Sequence, residues 1–128
     1  MSSADKAKSV VQAYLEGWRS GDKDAWLALF AEDAAIIDPV ATPENRGLDA
    51  IGALWDRVTG TGMKMAPELH KVVVCGNEVL ASFTMVSTTG GMGMAVDIVD
   101  IFTLNDDGKI TLLKAYWDNS CTRMVTAS

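Results

Sequence analysis

One histidine, His70, and two cysteines, Cys75 and Cys121, are all that the 128 residues of this chain hold of those two residue types. A lone histidine excludes a multi-histidine metal site and leaves a Ser-His-Asp triad hard to support. The cysteines lie far apart and outside any metal-spacing motif, so they read as reduced structural thiols with no redox role. No apolar run approaches the roughly 18 residues of a membrane span. The opening MSSADKAKSVVQAYLEG lacks the basic segment, apolar core and small-residue cleavage site of a secretory signal, so a cytoplasmic location is the default expectation. Basic residues are scarce: 11 Lys and Arg against 17 Asp and Glu leave a formal net charge of -6. Nucleic acid and anionic membrane surfaces, which demand a basic face, are thereby excluded as partners, and a small ligand that is not strongly anionic is expected. The glycine clusters Gly60-Thr61-Gly62 and Gly90-Gly91-Met92-Gly93 lack the strand-to-helix context and third glycine of a dinucleotide loop.

What remains is an ordinary globular composition, 48% hydrophobic and 22% charged. Residues 1–128 read as a single domain, large enough to bury a core without disulfide or metal staples. Val10, Val11, Tyr14, Leu15 and Trp18 form one stripe of an amphipathic helix over 3–19, with Ser2 and Asp5 as a capping box. Gly21 stops it and Asp22 caps a shorter helix carrying Trp26, Leu27, Leu29 and Phe30 through about Ala31. AAIID, residues 34–38, reads as a strand ending against Pro39. Leu48, Ile51, Leu54, Trp55 and Val58 mark a third helix that ends before Gly60.

Beyond Gly62 the chain reads as nearly all strand. HKVVVC and EVLASFTMV flank Gly76-Asn77 as a hairpin, TTGGMG is a turn, and MAVDIVDIFTL and KITLLKAYWD flank Asn105–Gly108 as a further hairpin. Three helices before a run of antiparallel strands predict an α+β domain, the helices packed on the concave face of a curved sheet, with a pocket between.

Within MAVDIVDIF two aspartates interrupt a run of buried-strand composition, and no lysine or arginine in the run pairs with them. Strand alternation puts Val96, Ile98, Asp100 and Phe102 on one face and Asp97, Val99, Ile101 and Thr103 on the other. If the first row faces the pocket, burial drives Asp100 toward its neutral, hydrogen-donating form; if it faces out, Asp100 is a surface carboxylate. Asp38, at a strand end, suits a turn or general-base work. Tyr14 is a core aromatic or a phenol donor into the pocket. Trp117, in register with Leu113 and Ala115, is core or an indole that orients a carboxylate. Asp38, Asp97 and Asp100 offer too few oxygens for a hard cation, so no metal is expected.

In order, VQAYLEGW, LFAEDAAIIDPV, RGLDAIGALW, MAVDIVDIF and DGKITLLKAYW resemble the bacterial Δ5-3-ketosteroid isomerases of the NTF2-like (SnoaL-like) superfamily, over about residues 8 to 118. The specific part is the first-helix tyrosine, the aspartate before proline and the second aspartate of a D-x-x-D strand, which correspond to Tyr14, Asp38 and Asp100. The resemblance implies a cone: three N-terminal helices on a strongly curved mixed, mostly antiparallel sheet that encloses an apolar pocket, in a homodimer and without a cofactor. It implies Asp38 as the base, with Tyr14 and a neutral Asp100 as oxyanion donors, carboxylate tuning for which this family is the standing example.

For a steroid substrate, Trp55, Phe83, Val86, Ile98, Phe102, Leu113 and Trp117 are the expected pocket wall, and Trp117 resembles a family tryptophan beside the base. Phe30 and Trp55 stand where some members carry tyrosines, which implies a shorter polar network behind Tyr14. Asp97 is expected to face away from the pocket in a structural role. Another NTF2-like enzyme, a polyketide cyclase or epoxide hydrolase, and a noncatalytic carrier of apolar ligands are the alternative readings.

Overall fold

A computed structural model describes residues 3–126. The chain runs α1 (Ser3–Ser20), α2 (Lys23–Leu27), β1 (Phe30–Ile37), β2 (Asn45–Arg46), α3 (Leu48–Thr59), β3 (Lys64–Cys75), β4 (Glu78–Thr89), β5 (Met92–Leu104), β6 (Ile110–Tyr116), a 3₁₀ turn (Asn119–Cys121) and β7 (Thr122–Thr126). The strands form one curled, open sheet in the order β2-β1-β6-β5-β4-β3, and β7 pairs with β5. Three helices on a curved, mostly antiparallel sheet are the predicted α+β cone. Its single parallel pairing, β1 with β6, makes the sheet mixed.

The helix stripe lands as its spacing requires: Val11, Tyr14, Leu15 and Trp18 are buried. Asp22 caps α2, accepting a hydrogen bond from the Ala25 backbone N–H at 3.1 Å. The expected Ser2–Asp5 capping box includes a residue outside the described range. Gly17 faces Trp26 so closely that a Cβ there would sit 2.8 Å from the indole Cδ1, so α1 seats on α2 through a position that tolerates no side chain.

One expectation needs correction, and one element is added. The second helix ends at Leu27, short of Ala31, because the backbone N–H of Ile110 donates to Leu29 O at 2.9 Å and Phe30 pairs with Ile110, drawing that segment into β1. Near the C-terminus, where the sequence reading assigns no element either way, β7 pairs Thr122–Thr126 with Val96–Met92. β5 is therefore shared along its length, its C-terminal half bonded to β6 and its N-terminal half to β7.

The hairpins follow local turn chemistry. Gly90 and Gly91 both adopt positive φ, 58° and 84°, the type I′ pattern that suits the twist of the flanking strands. The core lies between the helices and the concave face. Its centre is aromatic: Trp26, fully buried, sits 4.8–5.0 Å from the rings of Trp18, Phe30 and Trp55.

Candidate active site

Asp100 is 2% exposed, in the middle of β5. Its directly paired neighbours are Ala81 on β4 and Ala115 on β6. Paired residues share a sheet face, so two of the smallest side chains flank the carboxyl, leaving space over it. Among the described residues nothing hydrogen-bonds that carboxyl. Burial raises its pKa well above the ordinary 3.8, and the charge of Asp38 raises it further. The parity question is thus resolved: the row of Val96, Ile98, Asp100 and Phe102 faces the concave side.

Asp97, on the other row, is exposed. It accepts from Thr84 Oγ1 at 2.7 Å and Arg123 Nη1 at 2.9 Å, and these bonds hold its pKa below the usual carboxylate value. Its part is to tie β4, β5 and β7 together on the convex face.

Tyr14 projects from the buried stripe of α1 onto the ring of Phe102, edge to face at a centroid distance of 5.0 Å. Burial raises the phenol pKa well above 10.0, the charge of Asp100 adds to this, and the Trp18 side chain partly opposes it. The proton therefore stays on the oxygen. Behind Tyr14 the environment is apolar: Phe30 lies 6.4 Å away, and Trp55 is stacked on Trp18 at 4.5 Å rather than touching the phenol.

Asp38 is the first residue past β1, and Trp117 the first past β6. Because those strands are parallel neighbours, their ends place the two side chains together, and Trp117 Nε1 donates to Asp38 Oδ1 at 2.7 Å. The loop is pinned by the Val40 backbone N–H donating to Ala115 O at 2.9 Å. Asp38 as a residue is exposed at the rim, while its carboxyl reaches into the cavity. Burial raises its pKa and the indole bond lowers it.

These three groups share one cavity of about 100 Å³, lined by Tyr14, Trp18, Asp38, Val58, Met65, Phe83, Met85, Ile98, Asp100 and Ala115. Larger hollows occur on the surface, such as one of about 230 Å³ where α1 meets the turn after β5, but they hold no comparable convergence of groups.

Of the expected wall, Phe83 and Ile98 line this cavity. Phe102 and Leu113, at 0% and 1% exposure, lie in the core beneath it, and Trp55 backs Trp18. Trp117 flanks Asp38 from an outer hollow shared with Pro39 and Val40. Val86 is misplaced: alternation along β4 puts it on the face of Thr84, opposite Phe83 and Met85. Met85 was the residue to choose, and strand parity with Phe83 was the signal. Val58 and Met65 were also missed, since each is brought in by an element distant in sequence, whereas Trp18, one turn from Tyr14 on the same stripe, and Ala115, in register with Leu113, carried a local signal. Among the described residues no group of three His, Cys, Asp or Glu side chains is placed to hold a metal ion, and no helix is long and apolar enough to cross a membrane.

A curled sheet wrapped around three helices, with carboxyls and a phenol converging on an apolar cavity, defines a small α+β domain of NTF2-like cone architecture. The chain belongs to the SnoaL-like domain family, whose model matches residues 11–113. It is 31% identical over 112 residues, 88% of this chain and 89% of the relative, to a steroid Delta-isomerase of Nocardioides simplex. Among solved structures it is similar to a Δ5-3-ketosteroid isomerase from Mycobacterium sp. (TM-score 0.82, 22% identity, 94% of this chain and 98% of the other). It is similar also to the epoxide hydrolase/cyclase-like enzyme SalBIII of salinomycin pyran-ring formation (TM-score 0.86, 24% identity, 98% and 100%).

Proposed function

We propose that this protein is a steroid Δ-isomerase, converting 3-oxo-Δ5-steroids to 3-oxo-Δ4-steroids by moving one proton from C4 to C6. The observation that carries this reading is the unequal wetting of three groups around one cavity: a rim carboxylate, Asp38, opposite two buried donors, Tyr14 and Asp100. Asp38 removes the C4 proton. The electron pair flows to the 3-oxygen, and the resulting dienolate is held by hydrogen bonds from the Tyr14 hydroxyl and the protonated Asp100. Asp38 then returns the proton to C6, and the double bond is left in conjugation with the ketone.

Both donors keep their protons because their anions would be desolvated, and each is already in place before charge develops on the substrate oxygen. The apolar wall excludes water and strengthens the few polar contacts that remain. The identity to a steroid Delta-isomerase over most of both chains supports the same reading. Epoxide opening is less well served, since no arginine is among the cavity-lining residues to flank the acid. A carrier has no use for a buried acid without a partner.

Mixing the purified protein with a Δ5-3-ketosteroid and following the ultraviolet absorbance of the conjugated enone tests the proposal directly. Rapid conversion is expected. Tight binding without conversion would favour a carrier, and neither outcome would point to another substrate.

A further inference from the structure

The cavity floor continues past its mouth. Met65 on β3 pairs with Ser87 on β4, Ser87 with Met94 on β5, and Met94 with Met124 on β7. Directly paired residues project from one sheet face, so these four form a single row across four strands. One end of the row, Met65, lines the cavity. Met92 lies two residues beyond Met94, hence on the same face. Met92, Met94 and Met124 are 56%, 45% and 64% exposed. Arg123 and Asp97, the charged pair of this region, belong to the opposite face. A contiguous, uncharged thioether surface left in water beside a cavity mouth is the mark of an apolar ligand site.

Size points the same way. The cavity of about 100 Å³ is well under the roughly 300 Å³ at which small-molecule pockets begin, so a fused four-ring ketone held at Tyr14 and Asp100 leaves its far end outside. At about 3.3 Å per residue along β5, Val96 lies about 13 Å from Asp100 and Met94 about 20 Å. The emerging end of the substrate therefore runs onto the methionine row.

We infer that Met92, Met94 and Met124 form the binding surface for the distal end of the substrate, and that the favoured substrates are 3-ketosteroids carrying an apolar chain on the ring farthest from the ketone. This rests on the isomerase reading. Methionine suits such a surface, because its unbranched, polarisable side chain adapts to a flexible alkyl chain. A carboxylate or sulfate in the same place gains nothing from Arg123, the cation of β7, which belongs to the opposite face and is paired with Asp97.

The test compares kcat/KM for two Δ5-3-ketosteroids with the same ring system, one bearing a branched alkyl chain and one bearing hydrogen there. The wild type is measured beside Met94→Ser/Met124→Ser. The tailless substrate corrects for any unfolded fraction, because the quantity read is the ratio between substrates. The wild type is expected to prefer the tailed substrate, and the double variant to lose that preference on the order of tenfold, as partial exposure of two methionine contacts requires. A ratio unchanged by the substitutions overturns the inference. So does an unchanged ratio with a lower mass in sedimentation, which would assign the row to contact with a second copy of the chain. If the wild type converts neither steroid, the isomerase reading itself falls and this inference with it.

Discussion

The indole N–H of Trp117 donates to the carboxylate of Asp38 at 2.7 Å, although the two residues are separated by most of the chain. Each begins the loop after its strand, and the parallel pairing of those strands makes them neighbours. The bond favours the ionised carboxylate, opposing the burial that favours the acid. Trp117→Phe keeps the ring and removes the donor. The Asp38 pKa should rise, and the acid limb of the kcat/KM profile should move to higher pH, lowering activity most on the acidic side. A limb that stays in place would show that the indole does not tune the base.

Asp100→Ala and Tyr14→Phe should each lower kcat on the order of 10²- to 10³-fold while leaving a folded protein, as loss of one oxyanion donor does. Circular dichroism beside steady-state turnover checks both points. Near-native turnover in the two variants would remove them from the mechanism.

Stability should respond to Asp100 in the opposite direction. Its folded pKa lies above the unfolded value of about 3.8. The folded state therefore holds a proton that the unfolded chain has released, and stability is fully present below that value and declines as pH rises toward the folded pKa. Asn in its place cannot ionise. Asp100→Asn should have a higher urea midpoint than wild type at neutral pH and a flatter dependence on pH above about 4. Asp38, also raised, leaves a residual slope of the same sign. Equal wild-type and variant midpoints at neutral pH would argue that Asp100 is not kept neutral by burial.

Asp97→Asn provides the contrast. Asp97 lies three residues from Asp100 in the same strand, on the solvent face, and its partners are Thr84 and Arg123. Turnover should stay within a few-fold of wild type. A loss comparable to that of Asp100→Ala would contradict the division of labour between the two aspartates.

Gly17→Ala should destabilise the fold by about 1–3 kcal/mol, the range for overpacking a tight interior. The new methyl would lie 2.8 Å from Trp26 Cδ1, and Trp26 is fully buried with no room to retreat. Thermal or urea unfolding checks the value, and a neutral result would mean that α1 slides on α2.

Much of this was legible in the chain itself, for a definite reason. Side-chain alternation along a strand is a local property with a period of two, so the row of Ile98, Asp100 and Phe102 can be written down before any strand partner is known. The helix stripe with Tyr14, the Asp22 cap and the glycine turns are local in the same way. The same rule, applied to β4, would have chosen Met85 over Val86. Which row faces inward is another matter, and so is what sits beside it. Ala81 and Ala115 make room above Asp100 only because β4 and β6 flank β5. The sequence alone determined the faces, the caps and the three chemical candidates, because those depend on neighbours a few residues away. Tertiary structure decided that Asp100 is dry, that Trp117 meets Asp38 and that a methionine row leads out of the cavity, because each depends on strand pairings between segments that no local period can bring together.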